Sequence, residues 1–210
     1  KLQKLINMEI KESNFDSIDA RLEAHKSWKD HLPNFLSRGV ELDPSNNICI
    51  VRQNMDTLDK TWNYTHNIVS NDGDLYYAEM SAAETPTSDF DGASGRQELR
   101  TGAATPAKAD TYNELTTPIT ASRKAIDGTY PLTGDADTDN TGSGADVVTW
   151  LTSWTTGDFN NTGIIGGCVH VGGATPSGAT KVLTHWSISS FDKTAADTLK
   201  IFVNHTFNGV

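Results

Sequence analysis

From residue 47 onward, short runs of β-branched and aromatic residues recur between clusters of Gly, Pro, Thr, Asp and Asn, and no helical periodicity intervenes. A chain patterned in this way buries its apolar side chains by pairing strands antiparallel into stacked sheets or a barrel. The expected strands are NICIVRQ (47–53), WNYTHNIV (62–69), DLYYAEM (74–80), PITASRKAI (118–126), DVVTWLTSW (146–154), NTGIIGGCVHV (161–171), KVLTHWSI (181–188) and TLKIFVNHTF (198–207). Asn71-Asp72-Gly73 reads as the turn of a hairpin between the second and third of these. The turn clusters are ETPTSDFDGASG, GAATPAKAD, GDADTDNTGSG and GGATPSGAT. No internal repeat accompanies them.

The first part of the chain has a different period. Phe15, Ile18, Leu22, His25, Trp28 and Leu32 recur every three or four residues with charged residues between them, Asp16 or Ser17 stands where a helix start is capped, and Pro33 and Gly39 mark its end. The expected organisation is an N-terminal amphipathic helical arm over residues 1–45, followed by a mainly β, antiparallel, jelly-roll-like sandwich over residues 46–210. The arm's stripe of Phe15, Ile18, Leu22, Trp28 and Leu32 is the candidate docking element, against either the chain's own β domain or a neighbouring subunit.

Charge and chemistry narrow the function. With 17 basic against 27 acidic residues the formal net charge is -10, which opposes docking on phosphate backbones or anionic membranes. No apolar run reaches the roughly 18 to 20 residues that span a bilayer, and no signal-peptide pattern is present. Neither nucleic acid nor membrane is therefore expected as a partner. The two cysteines, Cys49 and Cys168, have no metal-ligand spacing and are expected as buried free thiols, with a disulfide as the alternative in an oxidising medium.

Asp135, Asp137, Asp139 and Asp146 take positions one, three, five and twelve of a calcium-loop spacing. Position six is Asn140 rather than Gly, position twelve lacks the longer Glu, and the flanks read as strands. The favoured reading is a solvated loop tip with no cofactor, calcium being the only candidate. His66, His170, His185 and His205 fall within strand patterns and read as sheet residues rather than general bases. GGATPSGATK lacks the Gly-Lys-Ser/Thr ending of a phosphate loop, and no nucleophile or zinc motif is present. No catalytic residue is expected. Trp62, Trp150, Trp154 and Trp186 lie in strands, where core packing is favoured over a sugar-stacking platform.

Three stretches, RTGAATPAKADTYNELTTPITASRKAI (100–126), GIIGGCVHVGGATPSGATKVLTHWSIS (163–189) and FDKTAADTLKIFVNHTFNGV (191–210), resemble in pattern and order a recurrent group of tailed-bacteriophage virion proteins. HNIVSNDGDLYYAEMSAAETPTSDF (66–90) is similar to the entry hairpin of that group, and Gly166 and Gly167 stand where its members carry an acidic residue and Gly. The resemblance spans roughly residues 60–210. It implies a non-enzymatic β-sandwich subunit of the virion, on the capsid exterior or in a tail, neck or fibre base. It also implies other capsid or tail subunits as partners, and a homo-oligomer with a trimer favoured. A carbohydrate- or receptor-binding module is the alternative, and a polysaccharide-cleaving enzyme using a carboxylate pair such as Asp89 and Asp91 a more distant one.

Overall fold

The computed structural model describes residues 48–133, 147–173 and 175–206, all within one compact unit, Pro44–Val210. The arm's stripe (Phe15, Ile18, Leu22, Trp28, Leu32) and the aspartates Asp135, Asp137, Asp139 and Asp146 lie outside the described residues.

Ten strands form two five-stranded antiparallel sheets. Sheet A has the order β2-β1-β10-β7-β6, built from β1 (Ile48–Asn54), β2 (Lys60–Thr65), β6 (Leu132–Thr133), β7 (Val147–Trp154) and β10 (Asp197–Thr206). Sheet B has the order β3-β9-β8-β4-β5, built from β3 (Asn67–Val69), β4 (Arg96–Arg100), β5 (Lys124–Ala125), β8 (Asn161–His170) and β9 (Val182–Lys193). The expected mainly β, sandwich-like architecture is present. Its strands are rich in Val, Ile, Thr and aromatic residues, which pack well on a pleated surface.

Alternation decides what lies between the sheets. Trp150 and Trp154 share a face of β7, opposite Val203 and Leu199 of β10. All four are buried in the main core with Ile48, Ile50, Ile201, Leu99, Val169 and Trp186. The indole N–H of Trp150 donates to the Phe90 carbonyl at 3.1 Å and that of Trp154 to the Ser122 carbonyl at 2.8 Å, so each large ring is anchored at its polar edge.

Three expected strands come out differently. The run 62–69 is divided: β2 pairs with β1 in sheet A, β3 pairs with β9 in sheet B, and the chain changes sheet at His66. The expected strand 74–80 is instead part of a helix, α1 (Asn71–Ser81). Ser70 caps it by accepting from the Gly73 N–H at 3.1 Å, and Asp72 and Asp74 in its first turn favour the positive end of the helix dipole. Gly73 is there because α1 lies against β9, where a Cβ would sit 2.4 Å from the Leu183 carbonyl oxygen. The run 118–126 is mostly a 3-10 turn (Thr120–Ser122) followed by the two-residue β5. A strand not expected from the sequence, β4, reads Arg-Gln-Glu-Leu-Arg, and its last four residues are buried.

Candidate functional site: a charged layer outside sheet B

Register puts the chemistry-bearing residues of sheet B on its outward face. Glu98 pairs with Cys168, which pairs with His185, while Arg100 pairs with Gly166, which pairs with Ser187, and Arg96 pairs with His170. Directly opposed residues point the same way, so Glu98, Arg100, Cys168, His170 and His185 form one layer. The connection 101–123, with 3-10 turns at Tyr112–Glu114 and Thr120–Ser122, covers it. Tyr112 and Leu115 of that connection pack with Cys168 and Val182 in a small apolar cluster separate from the main core.

Glu98 is the centre of the layer and is fully buried. The Arg123 guanidinium reaches both of its oxygens, Nε at 2.8 Å and Nη2 at 3.0 Å, and the Tyr112 hydroxyl donates at 2.9 Å. His170 Nδ1 accepts from the Gly172 N–H at 3.0 Å, which leaves the ring proton on Nε2. That nitrogen faces Glu98 Oε2 at 3.3 Å, an electrostatic contact without the alignment of a full hydrogen bond. Burial works to raise the Glu98 carboxyl. The contact with His170, the bonds from Arg123 and Tyr112, and the charge of Arg123 outweigh it and hold the group below the usual carboxylate range. Burial and the bond to Glu98 push the Tyr112 phenol up to about 12, and burial drives the Cys168 thiol well up.

Arg100 is buried alongside, but its partners are neutral: the carbonyls of Gly102, Ala104 and Trp186 and the Ser187 hydroxyl. A Cβ on Gly166 would lie 2.7 Å from the guanidinium carbon, so the glycine makes room for this side chain. Burial lowers the pKa of Arg100.

A second polar cluster closes one end of the space between the sheets. Asn67 of β3 donates from Nδ2 to Thr184 Oγ1 at 2.8 Å and to His205 Nε2, and the opposite ring nitrogen of His205 meets the Tyr77 hydroxyl. His205 is buried among neutral partners, and desolvation alone pulls its pKa down to about 3.

The other titratable groups singled out in the sequence are turn or sheet residues. Asp89 accepts from the Asp91 N–H, and Asp91 accepts from Ala93 and Ser94 N–H at 2.8 and 3.1 Å, so both carboxylates shape the loop before β4. His185 Nε2 donates to the Thr111 carbonyl at 3.0 Å. Cys49 and Cys168 are buried thiols that form no disulfide, as expected. Trp150, Trp154 and Trp186 are core residues, whereas Trp62 is 43% exposed with the Lys60 ammonium 5.0 Å from its ring centroid.

The described residues line at least two surface hollows. A groove of about 300 Å³ is lined by Tyr76, Tyr77, Met80, Ser81, Pro131, Leu132, Thr133 and Val148. A polar hollow of about 220 Å³ lies between the start of α1 and residues 178–181. In the latter, Asp72 is paired with Lys181 at 2.8 Å and Asp110 caps the Ala107 N–H at 2.7 Å. Among the described residues, no group of three or more His, Cys, Asp or Glu is placed to hold a metal ion, and no helix is long and apolar enough to cross a membrane.

Sequence reasoning missed the Glu98 layer. The signal open to it was the charged pentapeptide 96–100 next to the Thr111–Glu114 spacing, which is a capping box in the structure, with the Thr111 N–H donating to Glu114 at 2.6 Å. No family model, curated protein or solved structure matches this chain.

Proposed function

We propose that the chain is a non-enzymatic, jelly-roll-like structural component of a bacteriophage virion, attached to the capsid exterior or to the tail, neck or fibre base. The attachment runs through contacts between copies, a trimer being favoured, and through the amphipathic arm carrying Phe15, Ile18, Leu22, Trp28 and Leu32. The observation that carries the scaffold reading is the disposition of the strongest polar chemistry. Glu98, Arg123, Tyr112 and His170 are spent on one another beneath the 101–123 connection. A general acid or base must reach a substrate proton, and buried pairing of this kind serves to hold a shape.

Further support comes from the sheet borders. Among the described residues, β2 and β3 end their sheets, and a border strand is where a neighbouring subunit can add to a sheet. The virion assignment itself rests on the order of motifs over residues 60–210. Light scattering on the purified full chain, with antibody labelling of purified phage particles, tests it. A defined homo-oligomer and labelled particles are expected; a strict monomer absent from particles overturns the proposal.

A carbohydrate- or receptor-binding module is favoured by one feature, the exposed Trp62. Lys60 occupies one approach to that ring, so a sugar would have to stack on the other. Glycan-array binding lost in Trp62→Ala would move the assignment to that class, and an array with no binding removes it.

A further inference from the structure

Helix α1 is neutralised at one end and not at the other. At its start, Asp72 pairs with Lys181 at 2.8 Å and Asp74 with Lys108 at 2.5 Å. At its other end the last turn carries no basic residue, although cations are what the carbonyl end of a helix dipole favours. Glu79 stands in that turn, and Glu84 follows it, its N–H donating to the Glu79 carbonyl at 2.9 Å. Asp89 and Asp91 lie close enough to Tyr76 for their carboxylates to add to the burial that raises its phenol. Among the described residues, none of these four carboxylates is in an ion pair.

Beside this end of α1 lies the groove of about 300 Å³. Its floor includes Tyr76 and Tyr77, whose rings are wedged by edge-on contacts, Tyr76 with Phe90 and Tyr77 with Trp150 and His205. Its rim carries Met80, 52% exposed, and Leu132 of the border strand β6, 39% exposed. A floor set by packed rings does not have to reorganise to receive a side chain.

Apolar area at the centre with charge of one sign around it selects a partner of complementary chemistry. A second copy of the same surface would bring four more carboxylates against these four. We propose that the groove at the end of α1 docks a basic amphipathic segment of another protein: an apolar side chain of that segment sits between Tyr77, Met80 and Leu132, and its flanking lysines or arginines face Glu79, Glu84, Asp89 and Asp91. The long stems of such cations lie along apolar surface while their heads stay at the acidic rim. The site stands apart from the virion reading, since a chain absent from particles can still take such a segment and a particle-bound chain can fail to.

The test is methyl NMR on full-length chain labelled at its methionines, Met8, Met55 and Met80. The Met80 signal is assigned by its loss in Met80→Leu, and Met55, in the turn between β1 and β2, is the internal control. Three synthetic peptides of equal length are titrated: a leucine flanked by lysines, the same leucine flanked by glutamates, and a serine flanked by lysines. The first is expected to shift Met80 saturably and leave Met55 in place, with affinity falling as salt screens the rim; the other two are expected to leave Met80 unmoved. Glu84→Lys is expected to weaken the first peptide about threefold or more, and Leu132→Ser about tenfold. Both side chains are exposed, so circular dichroism should match the parent. The proposal is overturned if no peptide shifts Met80, if the glutamate or serine peptide shifts it as much as the first, or if both variants bind like the parent. A Met80 signal that moves with protein concentration alone assigns the groove to a second copy of this chain and overturns it as well.

Discussion

The layer outside sheet B and the cluster at the end of the intersheet core each bury a histidine beside a tyrosine, and they neutralise the cost in opposite ways. Outside sheet B, charge is retained and matched: Glu98 faces Arg123, with Tyr112 and His170 completing its shell. Between the sheets, charge is kept out: His205 meets Asn67, Tyr77 and the Trp150 ring, all neutral, and burial alone depresses its pKa. Low dielectric penalises an unmatched charge by several kcal/mol, so a buried site must either pair its ions or titrate them away. The contrast teaches that acid acts on the two regions differently: the His205 ring stays neutral down to about pH 3 and weakens the fold only because the unfolded chain protonates first, whereas the outer layer loses its charge as the pH falls through the lowered Glu98 value.

Breaking the matched side has the largest expected effect. Arg123→Ala removes the main cation from a fully buried carboxylate and is expected to cost about 3–5 kcal/mol in urea unfolding; a loss within about 0.5 kcal/mol would mean that the pairing does not hold the layer.

The pH dependence of the neutral side is next. His205 has a folded pKa of about 3 against 6.5 unfolded. Between those values the unfolded chain takes up a proton that the folded chain refuses. Stability is therefore complete above pH 6.5 and falls as pH drops, by up to about 1.4 kcal/mol per pH unit. His185, also lowered chiefly by burial, adds in the same direction. Urea midpoints measured between pH 6.5 and about 5 should decline, and His205→Gln should flatten the decline, because the remaining slope belongs to His185. An unchanged slope in His205→Gln would place the proton elsewhere.

A smaller change sharpens the same region. With Asn67 donating to Nε2, the ring proton of His205 lies on Nδ1 and points at the Tyr77 oxygen. Tyr77→Phe removes that acceptor and is expected to cost about 1 kcal/mol, read from the urea midpoint at pH 7. The smallest effect is expected outside both regions. Trp62→Ala, on an exposed border strand, should shift stability by no more than about 0.5 kcal/mol, so any larger loss of partner or glycan binding in that variant reports recognition rather than unfolding.

The strands with clear alternation or β-branched runs, β1, β7, β8, β9 and β10, were legible in the sequence because each carries its own apolar face. The inward pairing of Trp150 and Trp154 was legible for the same reason. α1 was not, since Asn71-Asp72-Gly73 has the composition of a hairpin turn, and the deciding facts are the Ser70 cap and the close seat of Gly73 on Leu183. The break at His66 was hidden because the alternation of 62–69 continues across it while the pairing partner changes from β1 to β9.

The candidate site was the least legible part. Arg-Gln-Glu-Leu-Arg looks like an exposed segment, and it is buried only because Arg123, 25 residues away, and Tyr112, 14 residues away, return to meet it. Local pattern records a residue's own preference, and a matched charge layer is a property of residues that the fold brings together. His170 and His185 were rightly read as sheet residues, but their shared face with Glu98 follows from register, which no single strand states.

The change of sheet at His66 means that one continuous stretch, 60–69, hems both halves of the protein on the same flank. Peeling that hem from β1 pulls directly on its grip on β9, and the reverse holds as well. The two layers thus share a single cooperative margin, and a neighbour that clasps this stretch would brace both of them in one contact.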